Sequence, residues 1–204
     1  MTYIIFPFTT GDDTVIHLTH ALRALPRYGW PATEARLADG AQVTLRDARA
    51  DAPRLRALFY TLSDTTRYLY FCAGVPQNDA WAEKVAQLGV ADGCASYALV
   101  AEVAGSLVGV ARFDRAADSS RAEIGILLTD AWQSRGLGRE VVARLRAEAT
   151  RRALTGFTAT VLGDNRRAMR LLRRAFPTMQ ATWSYGQFTL DLPFTDVPAP
   201  ASER

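Results

Sequence analysis

Arg121-Ala-Glu-Ile-Gly-Ile-Leu-Leu-Thr-Asp-Ala-Trp-Gln-Ser-Arg-Gly-Leu-Gly-Arg-Glu140 reads as a strand, a short polar loop and a Gly-rich turn that opens a helix. The apolar run Ile124 to Leu128 ends at Thr129 and Asp130. Gly136 and Gly138 then flank the start of an amphipathic stretch. A glycine-containing helix N-terminus offers exposed N–H groups and the positive end of the helix dipole, so it is suited to a phosphate group. Arg135 and Arg139 add full positive charges at the same place.

The pattern on either side extends this reading. Ser96 to Val103 and Ser106 to Phe113 are β-rich runs around Ala104-Gly105, which predicts a hairpin. Arg121 to Leu128 is the third strand of that meander. Gly136 to Ala153 is a helix with Val141, Val142, Leu145 and Ala149 on one stripe. Phe157 to Leu162 is a strand. Asp164 is the expected cap of a second helix whose inner face is Ala168, Leu171, Leu172 and Ala175. Met179 to Ser184 and Gln187 to Leu192 form a closing hairpin around Tyr185-Gly186.

Towards the N-terminus the signals are sparser. Val43 and Leu45 mark a strand in Ala41 to Arg46. Asp51 and Pro53 start a helix that carries Leu55, Leu58, Phe59 and Leu62. Ser63-Asp64 caps a helical turn through Phe71, and Gln77 to Leu88 is helical with Trp81, Val85 and Leu88 inward. Val15 to Leu25 fits a short amphipathic helix. The order of elements is that of an α/β (α+β) domain with a mixed, mostly antiparallel central sheet flanked by helices. The expected division is a 1–40 extension, a 41–192 domain and a 193–204 tail. The extension is open to three readings: a lid over the site, a homodimer contact, or simple packing.

The chain has 204 residues, 49% hydrophobic and 22% charged, with a net charge of +3. Such a balance is ordinary for a globular protein and too mild to imply a nucleic-acid partner. No apolar run is long enough to span a bilayer, and no signal peptide is evident, so neither membrane nor export is expected and the cytoplasm is the expected location. Cys72 and Cys94 are too few for a disulfide framework, and His17 and His20 lack a third ligand, so no metal is expected.

A Gly-x-Gly turn alone is ambiguous. A dinucleotide fingerprint needs a third glycine where Val141 stands and an acidic residue after the next strand, at Thr160 to Leu162. A phosphate-binding Gly-Lys-Ser/Thr loop is absent, as are the partner motifs of a kinase. The context decides. Gln133-Ser-Arg-Gly-Leu-Gly resembles the Gln/Arg-x-x-Gly-x-Gly/Ala signature of the GNAT superfamily of N-acetyltransferases. Ala122-Glu-Ile-Gly-Ile-Leu-Leu resembles that family's fourth strand. Asp164-Asn-Arg-Arg-Ala-Met-Arg-Leu-Leu resembles its Asn-x-x-Ala-x-x-Leu helix. The shorter run Leu62-Ser-Asp-Thr-Thr-Arg-Tyr-Leu-Tyr-Phe is similar to a segment of bacterial protein-lysine acetyltransferases of this type.

The resemblance implies acetyl-CoA as co-substrate. Its pyrophosphate would lie on the backbone of Ser134, Arg135, Gly136, Leu137, Gly138 and Arg139, with Gln133 and Asn165 also at the cofactor. The pantetheine arm would pair with the edge of the strand at Leu127 and Leu128, and a bulge at Gly125 would open the groove. The Leu128 N–H is the expected oxyanion donor, a contribution of roughly 3 kcal/mol in other enzymes. Glu123 is the expected general base that takes a proton from the attacking amine. The competing reading is a Glu123 paired with Arg121 or Arg112, and Glu102 is the second candidate base. Asn165 reads equally as a helix cap. One position departs from the pattern: many relatives have a Tyr donor where Leu172 stands, which leaves thiolate departure or another donor such as Tyr185. The expected activity is N-acetylation of a primary amine, a protein lysine or a small molecule. The rival is an acyl-CoA-binding module without turnover.

Overall fold

Ala104 and Gly105 both have positive φ, 46° and 80°, and join a pair of strands that close directly at Val103 and Ser106. Such a turn twists with the strands it connects, so the hairpin is locally encoded. It forms the middle of an eight-stranded sheet in the computed structural model, which describes residues 31–48, 50–91 and 95–194. The helix predicted at Val15 to Leu25, the His17–His20 pair and most of the predicted tail lie outside the described residues.

The strands are β1 (Thr33–Arg36), β2 (Gln42–Asp47), β3 (Ser96–Val103), β4 (Ser106–Asp114), β5 (Arg121–Leu128), β6 (Gly156–Leu162), β7 (Gln180–Ser184) and β8 (Gln187–Pro193). The helices are α1 (Ala52–Tyr60), α2 (Asp64–Phe71), α3 (Asp79–Gln87), α4 (Leu137–Arg151) and α5 (Arg166–Ala175). The sheet runs β1-β2-β3-β4-β5-β6-β8-β7. Every neighbouring pair is antiparallel except β5 and β6. This is the mixed, mostly antiparallel architecture expected. Strand β1 falls inside the segment read as an extension. Its sequence Thr-Glu-Ala-Arg has no apolar alternation, so pairing with β2 rather than its own pattern makes it a strand.

Alternation along β5 assigns its two faces. Ala122, Ile124, Ile126 and Leu128 pack with Val141, Leu145, Ala168 and Leu172, so α4 and α5 share one side of the sheet. Leu127 packs with Leu55, Leu58, Phe59, Tyr70 and Val85 on the other side, under α1 to α3. Glu123 has the same parity as Leu127 and faces that second side.

Two local expectations are corrected. The cap of α5 is Asn165, not Asp164: the Asn165 Oδ1 accepts the Ala168 N–H at 3.1 Å. Gly125 carries no bulge against β4, because the register from Glu123 to Leu128 is unbroken. The irregularity in the sheet falls instead between β3 and β4, at Ala101/Glu102.

Candidate active site

The groove arises without a bulge. Parallel pairing of β5 and β6 stops at Glu123 opposite Thr158, yet β5 continues to Leu128 and β6 to Leu162. Beyond Glu123 the two strands part, because β6 stays in register with β8 while β5 stays in register with β4. Glu123 therefore stands at the apex of an opening.

Backbone direction along this opening follows from two hydrogen bonds. The Thr129 N–H donates to the Val108 carbonyl at 2.9 Å, so odd-numbered residues of β5 bond to β4. The Thr155 N–H donates to the Ser120 carbonyl at 2.9 Å, so even-numbered residues face β6. Ile126 and Leu128 consequently turn their amides into the gap, whereas Leu127 turns its own towards β4. The expected edge at Leu127 and Leu128 is thus made by Leu128 and Ile126. Ile126, which the sequence reading passed over, lies about 10 Å along the strand from Glu123, against about 17 Å for Leu128.

Gln133 is buried at 6% exposure and does not point outward. Its Nε2 donates to the Leu128 carbonyl at 3.0 Å and approaches the Thr66 Oγ1 at 3.5 Å. Asp130 completes this connection. It accepts from the Ser63 N–H (3.1 Å), the Ser63 Oγ (2.7 Å) and the Thr66 Oγ1 (2.6 Å). Burial alone would raise the Asp130 pKa, but these hydrogen bonds lower it. The start of α2 is thereby fixed to the end of β5. The carboxylate is 64 and 67 residues from its partners, so no local pattern announces the contact.

The Gly-rich turn then enters α4. Ser134 and Gly136 have φ of 59° and 98°, and Gly136 is the N-cap residue with no side-chain cap. The Gly136 carbonyl accepts from Arg139 N–H at 2.9 Å, while the N–H groups of the first turn, from Leu137 and Gly138, start the helix. The Leu137 side chain is fully buried in the core, so only its backbone can serve a ligand. Arg135 is ion-paired with Asp39 in the β1–β2 turn, and its guanidinium carbon lies 4.2 Å from the Trp132 ring centroid. Arg139 is exposed. Asn165 is 2% exposed and occupied by capping α5.

Glu123 is the distinctive acid. Arg112 pairs with Asp114, and Arg121 pairs with Asp191 at 2.8 Å. Neither candidate partner reaches Glu123, which has no ion pair or hydrogen bond to its carboxyl among the described residues. Burial pushes its pKa up to about 7, and the negative charge of Asp114 adds to the effect. Glu102 behaves oppositely. Burial would raise its pKa, but Arg46 and Arg54 hold it below the usual value, at 2.9 and 3.1 Å from Glu102 Oε2. Such a carboxylate is a poor base near neutrality. Tyr70, buried on α2, lies within the electrostatic reach of Arg112, Asp114 and Glu123; its hydroxyl pKa is raised, chiefly by burial. Asp114 was missed from sequence, although Arg112-x-Asp114 on one face of an otherwise apolar strand is a visible signal.

Leu172 is fully buried in the core on the α5 side and offers no proton. Tyr185 sits at the tip of the β7–β8 turn with its side chain wholly exposed. Among the described residues no cluster of His, Cys, Asp and Glu could hold a metal ion, and no helix is long and apolar enough to cross a membrane.

Comparison with known proteins is consistent with this geometry. The Acetyltransferase (GNAT) domain profile matches residues 42–175. The GNAT domain of S. lividans PAT is 25% identical, with a TM-score of 0.72 over 81% of this chain and 99% of that one. A cAMP-binding acyltransferase from Mycobacterium smegmatis is 20% identical with a TM-score of 0.54; 81% of this chain covers 48% of that protein. This chain thus spans about half of the mycobacterial protein. The yncA protein of Salmonella typhimurium, solved with its cofactor acetyl-CoA, is 22% identical with a TM-score of 0.53, covering 79% of this chain and 99% of that one. No functionally curated protein sequence matches. With a profile match that runs from β2 through β6 and includes the Gly-rich turn and the Asn165 helix, the chain belongs to the GNAT acetyltransferase family.

Proposed function

We propose that the protein transfers an acetyl group from acetyl-CoA to a primary amine, with Glu123 as general base. The observation that carries this reading is a partly buried carboxyl, without an ion pair among the described residues, at the point where β5 and β6 part, with a pKa pushed up to about 7. A base titrating near neutrality accepts a proton effectively at that pH. An ammonium cannot attack a thioester, so its proton must leave, directly or through water. The amine then forms a bond to the thioester carbonyl carbon, and the C–S bond breaks to release CoA.

The chain's own groups fit the remaining tasks. The N–H groups of the Gly136 turn suit the pyrophosphate. The Leu128 and Ile126 amides line the gap for the acyl arm, and either can hydrogen-bond a developing oxyanion. Leu172 has no proton to give, so CoA leaves as the thiolate, which its thiol pKa permits. A protein lysine is the favoured acceptor, supported by the resemblance of Leu62 to Phe71 to a segment of bacterial protein-lysine acetyltransferases.

The test is a Glu123→Gln variant assayed for thiol release from acetyl-CoA with an amine and lysine-peptide panel. The expected result is a loss on the order of 10² to 10⁴ in kcat with unchanged acetyl-CoA affinity. Full activity in the variant removes the proposed base. Cofactor binding by the wild type without thiol release against any amine replaces the enzyme reading with that of an acyl-CoA-binding module.

A further inference from the structure

Helix α5 carries a charge pattern that the catalytic reading leaves unused. Arg166, Arg167, Arg170, Arg173 and Arg174 are all exposed, and the helix contains no acidic residue. At 100° per residue they occupy one continuous face, opposite the buried Ala168, Met169 and Leu172. None of the five guanidinium groups has an ion pair or hydrogen bond among the described residues. Arg46, Arg54, Arg67, Arg112, Arg121, Arg135, Arg151 and Arg152 are each matched to a carboxylate; Arg36, Arg115 and Arg139 also lack one among the described residues, but they are scattered, and only on α5 are such arginines gathered on one face.

This arrangement opposes helix stability. Like charges three and four residues apart repel, and Arg166 and Arg167 stand at the positive end of the helix dipole. A bound dianion would relieve both terms.

The topology says which dianion can reach. β5 and β6 are parallel, and each leads into a helix on the same face of the sheet. The N-termini of α4 and α5 therefore lie at the same edge, beside the mouth of the opening. α4 packs against α5, so the first turn of α5 is the neighbouring helix start to the Gly136 turn on that edge. In CoA the 3′-phosphate is one ribose away from the pyrophosphate. We infer that Arg166, Arg167 and Arg170 bind the 3′-phosphate of the cofactor nucleotide, an assignment that rests on the acetyl-CoA reading above.

The probes are CoA and 3′-dephospho-CoA, titrated into the full chain by calorimetry. The wild type is expected to bind CoA about tenfold or more tightly than dephospho-CoA. Replacing Arg166, Arg167 and Arg170 with Gln brings the two affinities together by weakening CoA alone. Replacing Arg173 and Arg174 with Gln, at the far end of the helix, preserves the preference. A thermal melt verifies folding, and Arg170→Gln alone serves if the triple variant does not fold. Equal wild-type affinities overturn the assignment. So does a triple variant that weakens both probes alike, the pattern of a diffuse basic surface for an acidic partner. Binding of neither probe overturns the acetyl-CoA reading, and this assignment with it.

Discussion

Asp114 stands directly across the β4–β5 ladder from Glu123, on the same face of the sheet. Arg112 pairs with Asp114, and Glu123 has no ion pair among the described residues. The acid limb of kcat/KM should therefore rise with pH through about 7, as Glu123 loses its proton. Asp114→Asn removes a like charge, so the limb should move to lower pH. A pH profile of kcat/KM for both proteins checks this, and an unmoved limb shows that burial alone sets Glu123.

The same carboxyl affects folding. Its pKa is higher in the folded chain than in the unfolded chain, so the folded state holds the proton more tightly. Stability from this group is greatest below the ordinary carboxylate range and is lost as pH rises through about 7. Glu123→Gln carries no such proton. Its melting temperature should gain on that of the wild type between acid and neutral pH, read by thermal denaturation at a series of pH values.

Gly109 faces Leu128 across the ladder. A Cβ there would lie 2.4 Å from the Leu128 Cδ2 and 3.0 Å from the Leu127 carbonyl oxygen. The second contact is backbone and cannot move aside cheaply. Gly109→Ala should destabilise the fold by about 1–3 kcal/mol and displace the amides that line the opening. Urea denaturation reads the first effect, and a fall in kcat in the folded fraction reads the second.

Thr66 donates to Asp130 and is within reach of Gln133, so it links α2 to the end of β5. Thr66→Val keeps the shape and leaves Asp130 short of one donor, at a cost of about 1–3 kcal/mol. Thr66→Ser should restore stability. The acetyl-CoA KM should rise in the Val variant and return in the Ser variant, because Gln133 loses the neighbour that steadies it against Leu128.

Leu172 is sealed in the core beneath α5. Leu172→Tyr, which restores the family residue, adds volume and a hydroxyl where there is no space. It should lower stability by about 1–3 kcal/mol and yield no gain in kcat. A rise in kcat would show that a proton donor at this position is needed after all.

The elements legible in the sequence are those whose cause is local. Ala104-Gly105 and Tyr185-Gly186 specify their hairpins by turn chemistry, and the stripe Val141, Val142, Leu145 and Ala149 specifies α4 by period. Glu123 and the Gly136 turn stood out because charge and glycine interrupt regular elements. What escaped depends on partners distant in the chain. β1 is a strand only because β2 lies beside it. Gln133 turns inward because Leu128 offers a carbonyl and Thr66 a hydroxyl, one of them 67 residues away. Which β5 amides face the gap depends on register with β4, a property of the pair rather than of either strand.

The ion pair between Asp39 and Arg135 joins the β1–β2 turn at one margin of the sheet to the loop that begins α4. The loop is thus moored to the outermost strand pair of the sheet. Fraying of β1 would cast Arg135 adrift from Asp39 and leave it to solvent or to an incoming anion. On the proposed function, cofactor affinity would then respond to changes at this margin of the sheet that leave β5 and β6 as they are.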